Sequence, residues 1–366
     1  MTGAGKTAFF AKTIAGLCAH CRVMSGKKLR YLVIANPKAG GFTIPGRWRV
    51  HRNALREALV LSAKNSERDA EPAESFPGGL IETTGPRSAV AYTKALLEEA
   101  ARDTEPFFLV ITAGGDGTSL EVLETIYTAA ALRKRFIVLR LPMGTGNDGA
   151  DARDMASALS LLHKKTNIKL VRAVSLGTAS GKTWTDGRNF FAFNILSIGL
   201  DAFVTHMTNR MKGRLPGDSY KLWVDIAALF YDKLYKVGPM ELRAFDEKGA
   251  ECARFTKKLL LCAVGESGRR TYGSRKMILP DDRNVCAIAQ MPLWRKIAFK
   301  EMFNTGAHAG KPEASLFTAK RVVINGRQNV LAQMDGETVL LRRDDFPVTI
   351  ELGDPAIQIL EHCHTD

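Results

Sequence analysis

Acidic residues are missing from the first 56 positions: no Asp or Glu precedes Glu57, although eleven Lys and Arg do. Over the whole chain 52 Lys and Arg stand against 38 Asp and Glu, a formal net charge of +14. A basic face of this kind suits a polyanion, whether nucleic acid, nucleotide phosphate or an anionic lipid surface, and charge alone does not choose among them. Long apolar runs are also absent. None approaches the roughly 18–20 residues that cross a bilayer, so any membrane contact is expected at the surface. Residues 1–28 have neither the apolar core nor the cleavage site of a secretory signal. Cysteine is sparse and scattered (Cys18, Cys21, Cys252, Cys262, Cys286, Cys363), a pattern that suits reduced, buried thiols better than a disulfide framework. A cytoplasmic location is expected.

Two short motifs promise more than they hold. The opening MTGAGKT ends like a phosphate loop at Gly5, Lys6 and Thr7, but lacks that motif's first glycine and its feeding strand. Cys18 and Cys21 have metal-ligand spacing without a second pair of ligands nearby. Residues 1–28 are expected to be a basic tail: an amphipathic targeting or surface-binding segment, or a disordered one.

From Arg30 the pattern is regular. YLVIAN (31–36), LIET (80–83), FFLVIT (107–112) and RFIVLRLP (135–142) are apolar strand candidates. Helical stretches fall about 47–62, 87–101 and 119–130, the last with Leu120, Leu123 and Tyr127 on one stripe. Alternating strands and helices predict parallel βαβ units, whose ligands bind at the strands' carboxyl ends. Three glycine-bearing loops, 36–41, 114–118 and 142–149, occupy that position. Beyond about residue 170 short β-branched and aromatic runs predict antiparallel structure, interrupted by a helix about 219–236 with Ser219 as its cap and Tyr220, Trp223, Ile226, Ala227 and Phe230 on one face. The 366 residues suit two domains. The expected fold is an N-terminal Rossmann-like parallel α/β nucleotide-binding domain (29–170) followed by a mostly antiparallel β-sandwich (171–366), with the nucleotide in the cleft between them.

NPKAGG (36–41), GGDGTSLEV (114–122) and PMGTGND (142–148), followed by FNILSIGLDA (193–202) and MDGE (334–337), resemble in order and spacing the diacylglycerol kinase catalytic family, which includes bacterial lipid kinases and the sphingosine kinases. The likeness spans about 30–350. It implies an ATP- and Mg²⁺-dependent lipid kinase whose second domain holds the lipid acceptor cleft. Asn36, Pro37 and Gly40 would hold phosphate or ribose, with Thr84 near the phosphates. Gly114, Gly115, Gly117 and Thr118 would bring backbone to the nucleotide, joined by Gly144, Thr145, Gly146 and Asn147.

A bare carboxylate, Asp116, among phosphate-binding glycines is unfavourable unless a cation intervenes. Asp116 and Asp148 would then anchor Mg²⁺ through water, whereas a turn aspartate bonding its own backbone is the plainer alternative. The resemblance makes Asp335 the base that takes the acceptor's proton, supported by Glu337, although Asp-Gly is equally a hairpin turn. It also offers Asp281, with the carbonyls of Ile278 and Arg283, as a structural Mg²⁺ site in which Asp282 is a second register. Lipid contact could involve 291–303, 209–217 or 47–56, whose basic and aromatic residues suit an interface as well as a core edge. The expected partner is a lipid substrate at a membrane surface, with peripheral association, no nucleic acid, and a homodimer left open. Two alternatives stand beside the lipid kinase: a soluble-acceptor kinase of the NAD kinase type, and a basic nucleic-acid-binding or regulatory protein on an inactive kinase fold.

Overall fold

The computed structural model describes residues 3–19, 21, 23, 27–64, 74–144, 146–164, 166–211, 226–235, 237–266, 270–272 and 276–362. Two compact units make up the chain: Met1–Val171 together with Pro355–Asp366, and Arg172–Asp354.

In the first unit, β1 (Leu29–Ala35), β2 (Glu74–Glu82), β3 (Phe107–Ala113), β4 (Phe136–Arg140) and β5 (Thr166–Val171) join the closing strand Ile357–His362 in one six-stranded sheet. The order is β2-β1-β3-β4-closing strand-β5, with every pair parallel except the last. The central strands are covered on both faces, so β3 and β4 are mostly apolar and buried along their length with no alternation. Among the described residues this unit has six α-helices: α1 (Gly3–Cys18), α2 (Gly40–Thr43), α3 (Pro45–Lys64), α4 (Ser88–Arg102), α5 (Asp116–Thr128) and α6 (Met155–His163). The expected stretches 47–62 and 87–101 are α3 and α4. The helix expected from 119 begins three residues earlier, because Gly115 is already its N-cap and the GGDGT loop is mostly the first turn of α5.

Two expectations about the chain's ends need correction. Residues 1–28 were expected to be a tail, but α1 sends Phe10, Ile14, Leu17 and Cys18 fully into the first unit's core. Phe10 packs edge-on against Phe42, and Phe9 against Trp48. That spacing of four, three and one residues is a helical stripe, and burying it outweighs the segment's basic character. The second domain was expected to run to 366. Instead Ile357–His362 returns to the first unit and lies between β4 and β5.

The second unit contributes β6 (Val174–Thr178), β7 (Phe190–Ala192), β8 (Ile195–Gly199), β9 (Pro239–Phe245), β10 (Glu251–Gly265), β11 (Arg270–Tyr272), β12 (Lys276–Leu279), β13 (Val285–Ala289), β14 (Ala314–Phe317), β15 (Arg321–Asn325), β16 (Val330–Met334), β17 (Glu337–Leu341) and β18 (Val348–Leu352). Strands β11 and β12 form a hairpin apart, and the other eleven share one antiparallel sheet. Its length comes from the 15-residue β10. The first half of β10 pairs with β9, and the second half lies buried between β8 and β13. Helix α7 (Leu200–Met211) and the helix Leu293–Thr305 supply Phe203 and Phe299 to a core layer built on β10 and β13. The helix expected about 219–236 is described only from residue 226, so Ser219, Tyr220 and Trp223 lie outside the described residues. No helix among the described residues is long and apolar enough to cross a membrane.

Candidate active site

The order β2-β1-β3 sends the chain to opposite sides of β1, so the loops after β1 and β3 flank the switch point where open α/β sheets bind ligands. The loop after β1 folds on itself: Asn36 Oδ1 accepts the Lys38 amide at 3.0 Å, and the Asn36 amide donates to the Ala113 carbonyl at the end of β3, also at 3.0 Å. Pro37 and Gly40 follow in that turn. The Gly41 amide donates to the Met143 carbonyl at 2.8 Å, which ties the first loop to the one after β4. A methyl group on Gly41 would meet Met143 at 2.8–3.0 Å. One on Gly144 would lie 2.8 Å from Gly115 Cα and 2.9 Å from Asn147 Oδ1. Three loops therefore touch backbone to backbone at one edge of the sheet, and only glycine allows it. Thr84 is exposed on the same edge, one residue after Thr83, whose amide donates to the Ala35 carbonyl at 2.8 Å. Thr145 lies outside the described residues.

Helix α5 starts within this cluster. Its N-cap, Gly115, has no side chain to satisfy the first-turn amides of Asp116, Gly117 and Thr118, which leaves an end suited to an anion. Gly114 is needed at the same turn, since a Cβ there would overlap the Thr118 side chain at 2.6–3.0 Å. Asp116 Oδ1 accepts the Gly149 amide at 3.1 Å and pins the third loop to the second. A Cβ on Gly146 would sit 3.3 Å from Asp116 Oδ2 and 3.4 Å from Asp148 Oδ2, so the two carboxylates converge beside that glycine. Asn147 takes a left-handed conformation (φ 60°) and donates to the Pro142 carbonyl at 3.2 Å. Asp116, Gly146, Asn147 and Asp148, all named from the sequence, are thus brought together in the structure.

Sequence reasoning missed the clasp that holds them. Arg140, the last residue of β4, and Asp151 are both buried, with the guanidinium Nη2 2.6 Å from Asp151 Oδ1. Asp151 Oδ2 also accepts the Arg140 amide at 2.6 Å, closing the third loop into a ring. Arg140 Nη1 reaches toward Asp116 as well: a Cβ on Gly149 would lie 3.6 Å from one and 3.5 Å from the other. The signal was an arginine interrupting an otherwise apolar strand, RFIVLRLP. Arg47, from α3, was also missed as a site residue and donates to the Gly144 carbonyl at 3.0 Å. By contrast Lys6, in the false phosphate loop, gives its ammonium to the Phe42 carbonyl at 2.6 Å.

Among the described residues no three His, Cys, Asp or Glu side chains gather as a ligand set. A nucleotide-bound Mg²⁺ asks for less, since one or two carboxylates, phosphates and waters suffice, and the Asp116–Asp148 pair fits that requirement. The proposed structural site does not. Asp281 gives both carboxylate oxygens to its neighbour Arg283, whose Nε donates at 2.9 and 3.0 Å and whose amide adds a bond of 2.9 Å. The Ile278 carbonyl faces His308 Nε2 at 3.1 Å. A guanidinium already stands against the carboxylate that a structural cation would need, and Asp282 is exposed one residue on.

In the second unit Asp335 and Gly336 are both left-handed (φ 43° and 98°) and form the two-residue turn between β16 and β17. The Asp335 carboxylate is occupied. Oδ2 accepts the Phe193 amide at 2.5 Å, Oδ1 accepts the Ile195 amide at 2.8 Å, and the Asn194 amide lies 3.1 Å from both. Three side chains beneath, Gln333, Ser197 and Asp201, continue this network. Gln333 Oε1 accepts the Gly336 amide at 3.0 Å, while its Nε2 lies 3.1 Å from Ser197 Oγ and 3.3 Å from Asp201 Oδ2. Ser197 Oγ donates to Asp201 at 2.6 Å. Burial pushes the Asp201 carboxyl above its usual range, against hydrogen bonds from Ser197 and Gln333 and the charge of Lys276. Glu337 is exposed at the first position of β17.

Three mutually packed glycine loops, a helix start without a side-chain cap and two converging carboxylates thus lie together in one α/β unit. Residues 30–179 match the family model of the diacylglycerol kinase catalytic domain. Two solved Bacillus anthracis structures share the fold across both units. One is provisionally described as a diacylglycerol kinase (19% identity, TM-score 0.58, covering 92% of this chain and 97% of that one). The other is described as a diacylglycerol kinase (16%, TM-score 0.53, covering 93% and 98%). At such identities the likeness is one of fold. No curated protein matches the chain.

Proposed function

We propose that this protein is a lipid kinase that transfers the γ-phosphoryl group of ATP, with Mg²⁺, to a lipid hydroxyl, with diacylglycerol as the acceptor and phosphatidic acid as the product. The observation that carries this reading is the meeting of the 36–41, 114–118 and 142–149 loops around Asp116 and Asp148, inside a stretch that matches the diacylglycerol kinase catalytic domain. The glycine loops and the first turn of α5 would hold the phosphates, with Arg47 and Arg140 adding positive charge beside them. Asp116 and Asp148 would hold Mg²⁺ through its waters, and the ion would neutralise phosphate charge. The acceptor hydroxyl oxygen bonds to the γ-phosphorus as the bond to the β-phosphate oxygen breaks, and ADP departs. The hydroxyl proton needs a base. Asp335 has its carboxylate committed to three amides, so we assign the proton to Glu337 and to Asp335 the placing of the turn that carries it.

Transfer of labelled γ-phosphate from ATP into diacylglycerol, monoacylglycerol, ceramide and sphingosine in mixed micelles, with NAD as a soluble acceptor, tests the reading. Label in a lipid, reduced at least about a hundredfold by Asp116→Asn and by Glu337→Gln in folded proteins, is the expected result. Label in NADP would replace the lipid kinase with a soluble-acceptor kinase. Salt-sensitive binding of nucleic acid without any transfer would place the protein among binders on a kinase fold.

A further inference from the structure

Large apolar side chains exposed on the second unit are not scattered. Among the described residues there are six: Ile226, Phe230 and Leu234 on one segment, and Leu293, Trp294 and Ile297 on another. The two segments are bridged by ion pairing and hydrogen bonding, with Lys296 Nζ 2.7 Å from Asp232 Oδ1 and Gln290 Nε2 2.7 Å from Asp232 Oδ2. Ile226, Phe230 and Leu234 recur every fourth residue and stay outside. Ala227, Tyr231 and Tyr235, one residue on, pack inward; the two tyrosines stack on each other, and Phe203 meets Tyr231 at a tilt and Tyr235 edge-on. The helix Leu293–Thr305 divides in the same way, with Phe299 and Lys296 inside and Trp294 the most exposed of the six at 69%. Each segment already has a filled inner stripe, so the outer residues form a second, separate apolar surface.

The charges around this surface are sorted. Asp232 is paired with Lys296, and Glu313 with Arg295, whose Nε donates at 2.6 Å. Exposed lysines remain at the rim: Lys233, beside Leu234, and Lys258, whose carbonyl accepts the Gln290 amide at 2.7 Å. Glu301, hydrogen-bonded to Asn304, is the exposed acid one turn beyond Ile297, next to Lys300. Aromatic and aliphatic residues with lysines at the margin and acids neutralised behind them complement a bilayer interface rich in anionic headgroups. We propose that this composite surface, built by residues 226–235 and the helix Leu293–Thr305, docks the protein on an anionic lipid bilayer. The choice of a bilayer over a protein partner rests on the lipid kinase reading.

The test uses the full-length protein, phosphatidylcholine vesicles with and without about 30% phosphatidylglycerol, and the variant Trp294→Glu/Ile297→Glu. Both sites are solvent-facing, so the variant's thermal transition should match that of the wild type. Wild type is expected to sediment with the anionic vesicles, less so in high salt, and the variant's partition coefficient should fall at least about tenfold. Phosphoryl transfer to a water-soluble short-chain diacylglycerol should be equal in the two proteins, whereas transfer to the same acceptor class in vesicles should fall with binding. Absence of wild-type vesicle binding, or equal binding by the variant, would overturn the proposal, whatever the short-chain assay shows. Failure of short-chain transfer with vesicle binding intact would count against the kinase reading alone. A concentration-dependent dimer abolished by the variant, with no vesicle binding, would give the surface to a second copy of the chain.

Discussion

Gly144 has no room for a methyl group, since a Cβ there would press on Gly115 Cα and on Asn147 Oδ1. The first contact is backbone, so neither side can swing away. Gly144→Ala should part the second and third loops at a cost of about 1–3 kcal/mol. It should raise the KM for ATP by roughly tenfold or more, while the thermal transition survives; steady-state kinetics against ATP and a melting curve decide. Asp201 tells a different story. Its native carboxyl titrates above the ordinary value of 3.8 because it is buried, and a raised pKa means that the folded state holds the proton more tightly than the unfolded one. Its ionisation therefore costs stability as pH climbs from the unfolded carboxyl's value, and the cost levels off above the native one. Asp201→Asn keeps an acceptor for Ser197 and removes the charge. The variant should match wild type below about pH 3.8 and become the more stable protein as pH rises, in urea unfolding measured across that range.

The β16–β17 turn shows how one element can hide two roles. From sequence, Asp335 and Glu337 looked like a base and its helper, and Asp-Gly looked like a hairpin; the turn is real, and the aspartate serves it. Asp335→Ala would leave the amides of Phe193, Asn194 and Ile195 without their acceptor, which should cost about 1–3 kcal/mol per buried group and lower stability and activity together. Glu337→Gln, on an exposed carboxylate, should leave the unfolding midpoint unchanged and lower kcat. If both variants lose activity at unchanged stability, Asp335 acts on the reaction itself. The glycine loops were legible because strand, glycine and helix follow each other within a few residues. The Arg140–Asp151 clasp was not, since an ion pair across eleven residues leaves no periodic trace. The 226–234 stretch misled for a related reason: Ile226, Ala227 and Phe230 were expected to share one face, but Ala227 and Tyr231 pack into the core while Ile226 and Phe230 are exposed. Similarly, the stretch 291–303 suited an interface as well as a core edge, and it serves as both: Phe299 is buried and Trp294 exposed.

At the level of the whole chain, the order of alternating elements foretold a parallel α/β unit and then an antiparallel one, and both are present. The return of Ile357–His362 was not foretold, because nothing local distinguishes a strand that pairs with Thr166–Val171 from one that ends the second unit. A chain ending at residue 354 leaves β4 and β5 with no strand between them, so it should lose the first unit's cooperative melting transition, and a synthetic peptide of residues 355–366 added in excess should restore part of it. The same feature dictates a timetable. During synthesis the 183 residues of the second unit (354 − 172 + 1) are made between β5 and its neighbour. At about 5–20 residues per second that gap lasts roughly 10–40 s. Through that interval the sheet has an open seam between β4 and β5. The first unit's sheet is therefore completed only after the whole second unit has been made.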